Sequence, residues 1–485
     1  MKTTRRRFVH LMGATGAAAA LSGCESATDA LAALLSAEPD ADFRPPTAAE
    51  VDLNSHLINR LTYGPRPGDY QRVKSMGAAA FIQEQLEPES IGDRSCNRKV
   101  AHIDSLYEPT GELYEFNERR LLADLTAHKM LRAVYSRRQL HEVMVDFWTD
   151  HFNIVSGKGD CKWLKAADDR DVIRRHALGN FRELVKASAL SPAMLIYLDG
   201  HDNKVVHPGD KPNENYAREL MELHTLGVHG GYTQADVMEV ARCLSGWTYE
   251  HRPFGFRPAH VEFSSERHDD GEKLVLGEVI PSGGGEADLD RVIELVCRHP
   301  STARHLAQKL CRWFIADPPP DAAVVSVAGA FASSAGDIKS TLGTLFETEA
   351  FGTTRGNLLK RPWRFVVSAL RATDAATDGG APIVEFLHRM GHAPFQYPTP
   401  DGYPIEPEPW LGTLLWRWNF ALDMMAKRIE GTAVNENRLH EILPGDDQLA
   451  AHFLGRIPTP LERDVLAETE HRVALLLASP AFQRH

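Results

Sequence analysis

Apolar residues recur every three or four positions through most of this 485-residue chain. That spacing places them on one face of an α-helix. Residues 213–228 are the clearest example, because Leu220 and Leu223 lie on an apolar arc and Arg218 lies on a polar arc. Similar segments follow one another along the chain. The pattern predicts an all-α fold, a single large multi-helix domain over residues 49–485.

One segment breaks the helical pattern. A first run alternates apolar residues with others at Phe254, Phe256, Val261 and Phe263. Residues 274–280 form a second β-like run, and Asp269-Asp270-Gly271 stands between the two as a turn. We therefore expect one small β-hairpin inserted between helices. An alternative to a single body is two lobes that meet near residues 253–290.

The first 25 residues carry an export pattern. Paired arginines precede Phe8, and the apolar stretch that follows is too short and too rich in Gly and Ala to span a bilayer. Residues 1–23 are predicted to be a twin-arginine signal peptide, with an ordinary secretory signal as the alternative. The sequence Leu21-Ser22-Gly23-Cys24 resembles a lipobox and predicts a lipoprotein held to the membrane by lipid on Cys24. Residues 24–48 are predicted to be a tether.

Charge excludes one large class of function. The formal charge is −12, and removal of Lys2, Arg5, Arg6 and Arg7 with the signal peptide takes it to −16. An acidic chain of this kind is a poor candidate for binding nucleic acid, which requires basic surface. It is also repelled by anionic headgroups, so the lipid must supply the anchoring.

Motif searches narrow the chemistry further. The five cysteines other than Cys24 show no metal-binding spacing. The chain contains no G-x-S-x-G elbow, no G-x-G-x-x-G loop, no P-loop and no H-E-x-x-H helix. Nucleotide-dependent chemistry and a common serine-hydrolase fold are therefore not expected.

A predicted helix over residues 139–152 offers the first candidate site. Trp148 and His151 share one arc of it, and Asn153 follows its last turn. His141 lies about 15 Å from His151 along the axis, so the two cannot bind one metal ion. We predict His151 as a catalytic residue and metal ligand, Asn153 as catalytic and Trp148 as a binding residue. Interface packing is the alternative for His151 and Trp148.

Residues 213–227 offer the second candidate. Glu219 is predicted to be catalytic and to ligate a metal if its polar arc faces a cleft. His224 is about 140° away from Glu219 on an α-helix, so the pair cannot chelate together, and His224 is interpreted as a core histidine. A solvated ladder of ion pairs is the alternative for the polar arc. The predicted binding residues here are Asn213, Asn215 and Arg218.

The third candidate is the pair His268 and Asp269 in the expected hairpin turn. Asp269 is predicted to be catalytic and His268 to ligate a metal. A turn selected for its Asp-Gly geometry is the alternative. Trp247, in the sequence Gly246-Trp247-Thr248, is predicted to be a binding residue.

These motifs together resemble a large bacterial family catalogued as domain of unknown function 1800 (DUF1800). The resemblance covers about residue 53 to residue 485. It rests on residues 147–153, 213–227 and 231–237, with Ala241-Arg242, Gly246-Trp247-Thr248 and His268-Asp269. It implies a mostly helical, exported protein. It also implies a partner, because members often accompany a second exported family similar to alkaline phosphatases and sulfatases.

The sequence therefore predicts a cell-envelope enzyme with a hydrolytic site made of histidines and carboxylates. In this hypothesis His151, Glu219 and His268 bind a divalent metal, and Glu219 acts as the base. An exported oxidoreductase that carries a cofactor is the first alternative. The second is a non-catalytic lipoprotein that binds an exported partner through the aromatic loop at residues 394–410.

Overall fold

The computed structural model describes residues 45–207, 209–250 and 259–485. The signal peptide, the lipidation site Cys24 and most of the tether lie outside the described residues. So do Phe254 and Phe256 of the expected hairpin.

Helices make up most of the described chain, which confirms the predicted all-α class. In the first half the α-helices are Leu53–Leu61, Asp69–Met76, Ala78–Leu86, Arg94–Val100, Glu118–Tyr135, Gln139–His151, Cys161–Asp168, Phe181–Ala189, Pro192–Tyr197, Asn215–Glu219 and Gln234–Cys243. In the second half they are Ala287–Arg298, Pro300–Phe314, Asp321–Ser333, Ile338–Glu347, Glu349–Thr353, Pro362–Ala372, Ala381–Arg389, Leu414–Met425, Glu436–Ile442, Asp446–Leu454, Pro460–Ala467 and Arg472–Ala478. Short 3₁₀ helices occupy Pro88–Ser90, Asp104–Tyr107, Thr110–Glu115, Gly200–Asp202, Ser265–Arg267 and Glu408–Thr413.

Side-chain caps fix where several helices begin. Thr233 and Asp236 form a capping box at the start of Gln234–Cys243. Asp52 accepts a hydrogen bond from the Ser55 amide at 2.8 Å and so caps Leu53–Leu61.

Residues 213–228 are not one continuous α-helix. The α-helix Asn215–Glu219 continues as a π-helix over Leu220–His224, and the Thr225 hydroxyl donates to the Leu220 carbonyl at 2.6 Å. A second π-helix, Asp169–Arg174, extends Cys161–Asp168. Angles that assume 100° per residue therefore do not hold beyond Glu219.

The β-structure consists of short antiparallel pairs. Trp247–Glu250 pairs with His260–Phe263, and Lys273–Val275 pairs with Glu278–Ile280. Residues 274–280 therefore form most of their own hairpin rather than the second strand of a single one, and Asp269-Asp270-Gly271 links the two hairpins. A third pair, Ala376–Thr377 with Thr432–Ala433, joins distant parts of the chain.

In the part of the chain that the structure describes, one main hydrophobic core runs from Leu57 to Phe482 and includes Val275 and Leu289 beside the hairpins. A smaller core around Leu106 and Leu113 lies under the 3₁₀ turns. No helix among the described residues has the length and apolar character needed to cross a bilayer.

Candidate functional site

The C-terminal turn of Gln139–His151 carries Asp150 and His151 into the interior. His151 is 1% exposed, and its ring stacks on Phe147 with centroids 6.1 Å apart. Its Nε2 lies 3.0 Å from the His224 carbonyl oxygen, so Nε2 carries the proton and donates. Its Nδ1 is then free to accept a hydrogen bond. Burial holds the pKa of His151 well below its usual range, and the charge of Lys309 lowers it further.

Lys309 supplies that hydrogen bond. Its Nζ lies 2.9 Å from Nδ1 of His151, and it projects from the middle of Pro300–Phe314. Among the described residues its ammonium makes no ion pair. Burial lowers the pKa of Lys309 to about 8, although the charges of Asp150 and Asp401 act in the opposite direction.

Two further histidines lie beside this contact. The ring centroids of His224 and His305 are 6.1 Å and 6.4 Å from that of His151. His224 is fully buried, and its ring nitrogens have no hydrogen-bond partner in the described part of the chain. Gly227 leaves room for His305, since a Cβ there would lie 2.7 Å from the His305 Nδ1. We call the group Lys309, His151, His224, His305, Asp150 and Asp401 the Lys309 cluster.

Asp401 reaches the cluster on a proline-rich loop that the helices hold in place. The Asn153 side-chain amide donates to the carbonyls of Tyr397 and Thr399 at 3.0 and 2.7 Å. The Tyr197 hydroxyl donates to the Pro398 carbonyl at 2.9 Å. Asn153, predicted to be catalytic, is therefore placed as a positioning residue for this loop.

Gly402 sets how closely the loop approaches. Its φ is +74°, and a Cβ at this position would lie 2.1 Å from the Asp150 carbonyl oxygen. Only glycine allows this close contact of two backbones. The aromatic side chains Phe395, Tyr403 and Trp410 of this loop are buried, so of the loop's aromatic residues only the half-buried Tyr397 remains for the contact surface expected from sequence.

Glu219 lies close enough to Asp401 for the two charges to interact. It is half-buried and makes no hydrogen bond or ion pair with the described residues. Burial raises the pKa of its carboxyl, and the charges of Glu222 and Asp401 raise it further. Tyr197 also lies near both carboxylates, and burial first and then nearby charges raise its pKa to about 12. The charge of the exposed Asp401 thus acts on both Glu219 and Lys309.

Asn213 and Asn215 hold a strained turn beside this region. Asp199 adopts φ 56°, a left-handed conformation that costs energy for a residue other than glycine. The Asn215 side chain donates to the Asp199 carboxylate at 3.1 Å, and Lys158 does so at 3.0 Å. The Asn213 amide donates to the Asn203 side chain at 3.0 Å.

The other predicted binding residues make their contacts in other parts of the structure. Arg218 bonds Glu214 and Gln234 on the surface, as the ion-pair alternative anticipated. Trp148 is 1% exposed, and its Nε1 donates to the Ala177 carbonyl at 2.9 Å, so it packs in the core. Trp247 is 8% exposed and lines a small internal void.

His268 and Asp269 point to different partners. His268 Nδ1 lies 2.8 Å from the Ser245 carbonyl, and its Nε2 lies 3.3 Å from Asp288, which also accepts from Lys273. Asp269 instead forms a two-point ion pair with Arg242, whose guanidinium lowers the pKa of that carboxyl.

The predicted metal triad is not assembled. His151 and His268 each use both ring nitrogens with separate sets of partners. Within residues 45–207, 209–250 and 259–485, no group of three or more His, Cys, Asp or Glu side chains is arranged to hold a metal ion. Glu219 is therefore placed with Asp401 and not with two histidine ligands.

Sequence reasoning missed Lys309 and Asp401. Lys309 lies 158 residues from His151 in the chain, on the polar side of an ordinary amphipathic helix. Asp401 lies in a loop that the sequence predicts only as a contact surface. The Pro400-Asp401-Gly402 sequence was the available signal, because a glycine after an acidic residue in a proline-rich loop indicates a fixed turn.

Comparison with known proteins gives one match. The model of the family described as Protein of unknown function (DUF1800) matches residues 56–484. No curated protein and no solved structure matches the chain significantly.

Proposed function

We propose that this chain, which belongs to the DUF1800 family, is a hydrolytic enzyme of the cell envelope with Glu219 and Lys309 as its acid–base groups. The observation that carries the proposal is the contact between the Lys309 amine and the neutral His151 ring, next to a carboxylate pair, Glu219 and Asp401. Ordinary surface lysines are not held this way, since they project freely into water.

Glu219 is suited to act as a general base. A carboxylate without hydrogen-bond partners keeps its basicity, and a raised pKa makes it a stronger base at neutral pH. Lys309 is suited to act as the general acid. Its pKa of about 8 leaves the ammonium protonated at neutral pH while making its proton easier to transfer.

The proposed step is a single displacement. Glu219 takes a proton from water as the water oxygen bonds to the electrophilic centre of the substrate. The bond to the leaving group breaks, and the leaving-group oxygen takes a proton from the Lys309 Nζ. His151 keeps Nζ in place through Nδ1, and Asp401 stabilises the ammonium. Water later returns the proton to Lys309 and removes one from Glu219.

The proposed location follows from residues that the structure does not describe. Export by the twin-arginine route and lipid on Cys24 would place the enzyme at the membrane surface. An exported protein similar to alkaline phosphatases remains the proposed partner.

A panel of chromogenic esters, phosphate and sulfate monoesters and glycosides tests the proposal. On any substrate that the unmodified protein hydrolyses, we expect Glu219→Gln and Lys309→Met each to lower kcat by about 100-fold or more. Glu183→Gln, an exposed carboxylate on Phe181–Ala189, is the matched control and should leave kcat unchanged. Full activity in both site variants would contradict the proposal.

The pH profile separates catalysis from a structural role. We expect kcat/KM to be bell-shaped, with an alkaline limb near pH 8 that reports Lys309. Lys309→Arg keeps the charge and should move that limb to higher pH. An alkaline limb that stays near pH 8 in this variant would remove Lys309 from the mechanism.

A further inference from the structure

A second feature lies beside the end of the proline-rich loop. A cavity of about 490 Å³ opens there, large enough for a small organic molecule. Its polar wall contains four arginines against two aspartates, although the chain as a whole has a net charge of −12. Such a local reversal of charge concentrates anions.

Three of these arginines have guanidinium N–H donors that make few or no hydrogen bonds with the described residues. Arg364 donates only through Nη1, to the carbonyls of Asn59 and Thr62 and to the His485 ring, which leaves its Nη2 without a partner in the described chain. Arg312 bonds Asp317 and Glu406 through Nε and Nη2, and its Nη1 has no such contact. Arg484 is exposed and makes only one long contact, 3.5 Å, to a backbone carbonyl.

Several cations in this wall and behind it have no carboxylate bonded to them. Within the described residues, four buried cations bond only neutral groups: Arg60, Lys360, Arg364 and Arg417. A buried cation without a carboxylate partner is costly. Burial and the neighbouring cations lower the pKa of Lys360 well below its usual range, and that of Arg364 falls to about 10. An anion in the cavity would offset this excess.

The remaining walls suggest what the anion is attached to. Ile405, Pro407 and Leu411 also line the cavity, together with the ring of Trp313. The Trp313 Nε1 is buried without a hydrogen-bond partner in the described part of the chain. The volume exceeds that of a bare oxyanion several-fold, so apolar atoms would share the space.

We propose that this cavity binds a tetrahedral oxyanion, as a phosphate or sulfate monoester whose organic part lies against Ile405, Pro407 and Leu411. The three arginines come from three separate segments: Arg312 from Pro300–Phe314, Arg364 from Pro362–Ala372 and Arg484 from the last residues of the chain. Donors on three separate segments suit three or four acceptor oxygens, whereas a planar carboxylate is met by one bidentate arginine. The binding site does not depend on the acid–base role of Lys309.

Calorimetric titration of the full chain tests the site, with phenyl phosphate, inorganic phosphate, benzoate and phenol at one ionic strength. We expect saturable binding of phenyl phosphate and none of phenol. Binding of phenyl phosphate about tenfold tighter than inorganic phosphate identifies a monoester site, and equal binding identifies a site for the free oxyanion. Both results support a tetrahedral oxyanion. No saturable binding of either, or benzoate binding as tightly as phenyl phosphate, would overturn it.

Variants locate the binding. Arg484→Ala removes an exposed side chain, so it should fold normally and weaken binding of phenyl phosphate by about tenfold. Arg304→Ala, an exposed arginine on Pro300–Phe314 away from the cavity, is the matched control. Arg364→Lys keeps the charge but loses the Nη2 donor, so it should also weaken binding of phenyl phosphate and tests the site independently. Unchanged affinity in Arg484→Ala would place the ligand elsewhere and overturn the proposal.

Discussion

The Nζ of Lys309 lies 2.9 Å from the Nδ1 of His151, and the other ring nitrogen of His151 lies 3.0 Å from the carbonyl of His224. This pair of contacts fixes the tautomer of the histidine and the position of the amine together. A neutral imidazole cannot balance the charge of an ammonium, so the proton of Lys309 is held more weakly than on an ordinary lysine.

Asp401→Asn should shift the whole pH profile of activity to lower pH. The charge of Asp401 raises the pKa of both Glu219 and Lys309, so its removal lowers both. Both limbs of kcat/KM should therefore move in the same direction, and circular dichroism should show an unchanged fold. A shift of the two limbs in opposite directions, or of neither, would show that Asp401 does not act on the two groups.

Lys309→Met should make the protein more stable while it loses activity. Burial lowers the pKa of Lys309 to about 8, so the charged form costs stability at every pH below 8, and that cost disappears as the pH rises from 8 to 10.5. Because the side chain is partly exposed, we expect a gain of only about 1 kcal/mol in the free energy of unfolding at pH 7. Urea unfolding measures it, and a loss of stability of similar size would contradict the prediction.

Buried neutral histidines should make the protein sensitive to mild acid. Burial lowers the pKa of His224 to about 3, so the unfolded chain binds the extra proton below pH 6.5. Stability should fall as the pH decreases from 6.5 toward 3, by about 1.4 kcal/mol per pH unit for each such histidine.

His224→Leu isolates this contribution. The variant should show a shallower dependence of unfolding free energy on pH between 6.5 and 4, because the leucine has no proton to gain. His440→Gln, at an exposed position, should leave the slope as it is. Identical slopes for all three proteins would show that His224 is not held neutral in the fold.

Gly402→Ala should displace the proline-rich loop. A Cβ would lie 2.1 Å from the Asp150 carbonyl, and the φ of +74° is unfavourable for alanine. We expect a loss of about 2 kcal/mol in unfolding free energy together with a large fall in kcat, since Asp401 moves with the loop. Gly412→Ala, where a Cβ meets no atom within 4 Å, is the matched control. Equal stability of the two variants would contradict the predicted close approach.

The sequence predicts the helices well and the site poorly, for physical reasons. Helical periodicity and caps such as Thr233 are local, so the all-α fold and most helix positions follow from them. The π-helix at Leu220–His224 does not follow from local pattern. Its irregular turn is stabilised by the hydrogen bond from the Thr225 hydroxyl to the Leu220 carbonyl and by packing around His305.

Histidines and carboxylates are recognisable as candidate site residues by their chemistry, but their partners lie far away in sequence. His268 contacts Asp288, whereas Asp269 forms an ion pair with Arg242, so two residues that are adjacent in the chain have separate partners. The sequence predicts Glu219 as a site residue, whereas Lys309 becomes a candidate only in the fold, since nothing in its own helix marks it.

The pKa of Lys309 itself tests the central claim most directly. Trace acetylation of the full chain with acetic anhydride from pH 6 to 11, followed by mass spectrometry of the Lys309 peptide, gives the midpoint of its reactivity. An exposed lysine, Lys427, serves as the internal reference. We predict a midpoint at about 8 for Lys309, well below that of the reference. A midpoint equal to that of the reference lysine would contradict the proposed acid–base site.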